Sequence, residues 1–147
     1  MRPEPGEPLG MPRGHGTFEH TADCGIEAWA PDLPGLLEEC ASGMFGLMYP
    51  LVESVDGREV RVAASGETIE ELLVSWLGEL LYVSEVESLA LVSFAVDEAD
   101  GSSVSGRAIG RSSATVELHG PPIKAVTYHG LSVVGNGEWR ARIIFDV

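Results

Sequence analysis

Three stretches of this 147-residue chain carry side chains of types that could do chemistry. The first is His20-Thr21-Ala22-Asp23, at a strand end just before Gly25. An aspartate in a tight turn either bonds to nearby main-chain N–H groups or serves a site, and residue type leaves both open. The second is Ile143-Ile144-Phe145-Asp146-Val147. An apolar strand running to Val147 brings the Asp146 side chain and the terminal carboxylate within a few ångströms of each other. Two such groups repel unless a hard cation with oxygen ligands, or a Lys or Arg, lies between them. A solvated strand end is the plainer alternative. The third is Lys124, the only lysine, in Ile123-Lys124-Ala125-Val126-Thr127-Tyr128-His129. A lone lysine at the start of a strand is ordinarily just exposed, yet a chain that otherwise uses arginine has a compact ammonium here. His119 and His129 flank this stretch without a partner at metal-ligand spacing, so both read as core or surface histidines.

Several chemistries have nothing to start from. The chain has no GxxxxGK[ST] loop, no HExxH and no GxSxG. Gly110-Arg111-Ser112-Ser113 reads as a turn between strands. Cys24 and Cys40 lie sixteen positions apart without a CxxC grouping, so they are expected to be free thiols in a reducing, cytoplasmic setting. Met1 to Gly14 hold four prolines and three glycines but no apolar run, which argues against a signal or spanning segment and for a disordered tail.

The elements that must position these groups show in the hydrophobic pattern. Gly16–His20 and Gly25–Ala30 read as strands around a tight Thr21–Gly25 segment, with Ile26, Ala28 and Ala30 alternating in the second. Asp32 can cap a helix with Pro34 in its first turn. Leu33, Leu36, Leu37, Cys40, Met44, Leu47 and Met48 then form its buried stripe, and Pro50 ends it. Asp56-Gly57 reads as a turn and Glu59–Ala64 as a strand. Thr68-Ile69-Glu70-Glu71 fits a capping box opening a second helix with Leu72, Leu73, Trp76, Leu77, Leu80 and Leu81 on one face. Strands are expected at Leu89–Val96, Val104–Ile109, Thr115–Leu118, Lys124–Leu131 and Trp139–Phe145, with Asn136-Gly137 as a hairpin turn. The pattern predicts an α+β fold: one two-layer domain over residues 15–147, a mixed or antiparallel β-sheet packed with two main helices.

Charge narrows the partners. Twenty-three Asp and Glu against nine Lys and Arg give a net charge of −14, with a pI near 4.5. Such a surface cannot grip a phosphate backbone on its own and favours a basic partner.

Together these segments resemble the archease family. The resemblance rests on His20-Thr21-Ala22-Asp23-Cys24-Gly25-Ile26, Trp76-Leu77-Gly78-Glu79-Leu80-Leu81-Tyr82, Ile123–His129 and Phe145-Asp146-Val147, in the family's order. Gly78 stands where the family usually has Asn, which should cost the helix about 1 kcal/mol. Residues 1–14 have no counterpart. The resemblance implies an accessory protein of RtcB-type RNA ligases in tRNA splicing and repair, not itself an enzyme. It would help the ligase take up guanylate from GTP and turn over repeatedly, meeting RNA through the ligase and no membrane. It also implies metal ligands at Asp23, Asp146 and Val147 for a divalent ion, with Ca²⁺ expected, and an activating role for Lys124 beside Asp23 and Asp146. Two rival readings are a small metal-dependent phosphoester hydrolase and a chaperone-like binding module without a metal role.

Overall fold

A computed structural model describes residues 12–20, 23–50 and 57–147. The expected turn at Asp56-Gly57 lies partly outside them, as do residues 1–11 of the expected tail. Gly14 already belongs to the first strand, and Arg13 is held by Glu38 and Glu39.

Strands β1 (Gly14–His20) and β2 (Asp23–Ala30) form a hairpin, Gly14 opposite Trp29 and His20 opposite Asp23. Helix α1 spans Leu33–Met48; Asp32 Oδ1 accepts the Gly35 N–H at 2.8 Å, as its short side chain before a helix favours. The helix ends at Tyr49, ahead of Pro50. Strand β3 (Arg58–Ser65) leads to α2 (Ile69–Glu87). Thr68 Oγ1 accepts the Glu71 N–H, and the Glu71 carboxylate reaches back to the Glu67 N–H, one residue before the cap. The box therefore closes on a neighbouring donor to the one expected, with the same effect of satisfying an end N–H.

Strands β4 (Leu89–Ala99), β5 (Ser103–Ser112), β6 (Ala125–Val126), β7 (Ser132–Asn136) and β8 (Glu138–Asp146) complete the chain. The α+β class is as expected, and the strands divide between two antiparallel sheets. One runs β1-β2-β8-β6, with β7 also paired to β8; the other runs β3-β5-β4. A single core joins both, with Ile26 and Ile143 from one sheet, Leu91 and Ala108 from the other, and Met44 and Trp76 from the helices.

Three local expectations differ from the structure. Gly110 to Ser112 continue β5, with Gly110 opposite Leu91 and Ser112 opposite Leu89. A Cβ on Gly110 would come within 2.8 Å of the Ala90 carbonyl, so glycine there allows strands to approach rather than turn. Thr115–Leu118 is no strand. A 3-10 turn covers Ser113–Thr115, and the following stretch bonds to the end of α1 through His119 N–H to the Met48 carbonyl. Within Lys124–Leu131, only Ala125 and Val126 pair as strand. Asn136-Gly137 does make the hairpin turn, with Gly137 at φ 82 and Asn136 opposite Glu138.

Candidate functional site

Strand β8 runs through the middle of the larger sheet and ends at Asp146. Ala141, Ile143 and Phe145 join the core shared with the helices, so alternation turns Ile144 and Asp146 to the other face, where Ile144 is buried and Asp146 exposed. Val147 follows, its side chain packed against the core and half-buried. That packing holds the chain end against the fold.

On one side of β8 lies β2. Cys24 is opposite Phe145 and Ile26 opposite Ile143. One further step along this register sets Asp23, the first residue of β2, level with Asp146 on the adjacent strand. Neighbouring strands are about 4.8 Å apart. On the other side lies the Lys124 segment. The Lys124 N–H donates to the Asp146 carbonyl at 2.8 Å, Ala125 is opposite Asp146, and Thr127 donates to the Ile144 carbonyl through both its N–H and its hydroxyl. The same step by one residue sets Lys124, itself exposed, level with Val147.

Three strands thus bring residues 23, 124, 146 and 147 to one end of one sheet. Thr21 and Ala22, and the side chains of His20 and Asp23, lie outside the described positions. Among the described residues no group of three or more His, Cys, Asp or Glu side chains is set to hold a metal. The described side-chain donor at this sheet end is the Asp146 carboxylate, with positions 23 and 147 beside it by register and sequence. A carboxylate is a hard oxygen donor, the type that suits a divalent ion such as Ca²⁺ with waters completing its shell, and not a closed thiolate or imidazole cage.

The remaining polar candidates are spoken for elsewhere. His119 Nε2 bonds to the Gly46 carbonyl at 2.8 Å, and His15 Nδ1 to Glu39 at 2.9 Å. Cys24 and Cys40 are free thiols, as expected; Cys40 is fully buried, which pushes its thiol well above the ordinary range.

One feature of this neighbourhood escaped the sequence. Beside Lys124 a groove of about 790 Å³ runs between α2 and the Pro122–Val126 segment. Its helix wall is Val74, Gly78, Leu81, Tyr82 and Glu85. The available signal was Tyr82 itself, a large apolar side chain adjoining the buried stripe of α2 without belonging to it.

Comparison with known proteins follows the same residues. Residues 15–147 match the model of the Archease protein family. The protein archease of Pyrococcus furiosus is 32% identical over 137 residues, covering 88% of this chain and 96% of that protein. The protein archease of Methanothermobacter thermautotrophicus is 31% identical over 141 residues, covering 92% and 99%. Among solved structures, the solution structure of Methanobacterium thermoautotrophicum protein 1598 is similar with a TM-score of 0.70 at 31% identity, covering 91% of this chain and 99% of that one. The crystal structure of a Thermotoga maritima archease, called a possible chaperone, has a TM-score of 0.61 at 21% identity and shows likeness of fold.

Proposed function

The chain belongs to the archease family, and from that premise we propose that it is an accessory protein of an RtcB-type RNA ligase in tRNA splicing, promoting guanylylation of the ligase from GTP and multiple turnover. The observation that carries this reading is the convergence of positions 23, 124, 146 and 147 on one sheet end. Asp23, Asp146 and the Val147 carboxylate would hold a divalent ion, Ca²⁺ being the candidate. Bound there, the ion would supply a compact positive charge for the triphosphate of GTP. Lys124, immediately before β6 and level with Val147, would offset the carboxylates and present an ammonium to a phosphate oxygen. The exposure of Asp146 and Lys124 suits groups that act on a partner's substrate rather than on one enclosed in this fold.

A multiple-turnover RNA ligation assay at limiting ligase tests this. Wild-type chain should raise the number of turnovers, while Asp23→Ala, Asp146→Ala and Lys124→Ala should abolish the gain. Undiminished stimulation by Asp146→Ala would sink the proposal. Titration of Ca²⁺ by calorimetry supplies a separate readout: deletion of Val147 shifts the terminal carboxylate and should weaken binding about tenfold or more.

A further inference from the structure

We infer that the groove between α2 and the Pro122–Val126 segment docks a basic segment of the ligase, one with an aromatic or branched apolar anchor beside an Arg or Lys. This rests on the accessory role just proposed.

Shape comes first. The groove is an open channel of about 790 Å³ with an apolar floor at Met48 and Ile123. At Gly78 a Cβ would meet nothing within 4 Å, so this stretch of the helix wall stands back and leaves room. Tyr82 on the rim is 62% exposed. An exposed ring above a floor of Met48 and Ile123 makes a seat for a partner's apolar anchor.

Charge selects the occupant. Helix α2 carries Glu70, Glu71, Glu79, Glu85 and Glu87 and no Lys or Arg, and its last turn has no cation to offset the carbonyl end of the helix dipole. Glu87 is engaged by Arg58 at 2.9 Å, whereas Glu85 projects into the groove as its acidic member. Lys124 is the basic member of the lining and stands on the opposite wall, so the place for a partner's cation is the helix side, beside Glu85, where α2 supplies no Lys or Arg. A second copy of this chain, or a nucleic acid, would instead bring negative charge to a protein of net charge −14.

Position ties the groove to function. Lys124 belongs to its far wall and is bonded through its main chain to Asp146. A segment seated here sets the body of its protein against the sheet end that carries positions 23, 124, 146 and 147.

The experiment measures binding of purified ligase to the full chain by calorimetry or biolayer interferometry, alongside the turnover assay. Tyr82→Ala and Glu85→Lys should each weaken binding about tenfold or more. Gly78→Leu, which fills the channel without opposing the helix, should do the same at an unchanged or higher melting temperature. Glu98→Lys, at the distant end of β4, makes the same change in net charge and should bind as wild type does. Wild-type affinity in Tyr82→Ala and Glu85→Lys, with the wild-type chain still stimulating turnover, overturns the docking site and leaves the accessory role standing. Equal losses in Glu85→Lys and Glu98→Lys also overturn it, since the attraction would then be diffuse. A wild-type chain that neither binds nor stimulates removes the accessory role, and the inference with it.

Discussion

Glu39 takes hydrogen bonds from two directions at once: His15 Nδ1 at 2.9 Å and Arg13 Nε at 2.6 Å. The bond from His15, more than any other influence, holds its carboxyl below the usual glutamate range, with Arg13 adding to the effect. A carboxylate lowered in the folded state stabilises the fold above its unfolded pKa, and the contribution is lost as pH falls through the lowered value. Wild type should therefore lose stability in acid, below about pH 4.3, more steeply than Glu39→Gln. At neutral pH the substitution should cost about 1–2 kcal/mol, read from urea unfolding curves at pH 7 and pH 3. None of this was legible from composition, because His15 and Glu39 are distant in sequence and meet only when β1 packs on α1. The candidate site was more legible at this scale. Asp23, Lys124 and Asp146 stood out as residue types at strand ends. What sequence lacked was the register of β8 against both neighbours, which sets those positions level.

Helices were easier to read than strands, for a physical reason. Thr68 and Glu71 signal the start of α2 through contacts three and four residues long, and those contacts are present. Thr68→Ala should cost about 1 kcal/mol in a denaturant titration. Gly78→Ala should have the opposite sign, a gain of up to about 1 kcal/mol, since glycine is a poor helix former and a Cβ there meets nothing in the chain. Strand boundaries depend instead on ladders formed across long separations. Thr115–Leu118 has the β-branched composition of a strand but lies between a 3-10 turn at Ser113–Thr115 and His119, whose N–H bonds to the end of α1. Gly110–Ser112 has the composition of a turn but pairs with Leu89–Leu91. Alternation tells which face a residue takes; it does not name the neighbour.

At the scale of the molecule, Trp76 connects the layers. It is fully buried, its indole N–H donates to the Leu37 carbonyl of α1 at 3.1 Å, and its ring edge lies 3.1 Å from a Cβ placed on Gly106 of β5. Trp76→Phe loses that donor and part of the filled volume, so the urea midpoint should fall by the equivalent of about 1–3 kcal/mol. The α+β class followed from helices early and strands late. The division into two sheets did not, because both share one core and both alternate alike. Among the described residues no helix is long and apolar enough to cross a membrane.

The pairing of β2 with β8 has a kinetic consequence. Residues 23–30 must wait for residues 138–146 before the larger sheet gains its middle strand. During synthesis the β1–β2 hairpin therefore keeps an open edge while α1, α2 and the whole β3-β5-β4 sheet emerge. Closure of that edge is the same event that sets Asp23 beside Asp146. A chain that lacks residues 138–146 cannot set Asp23 level with Asp146, so this sheet end is assembled only once β8 has been added.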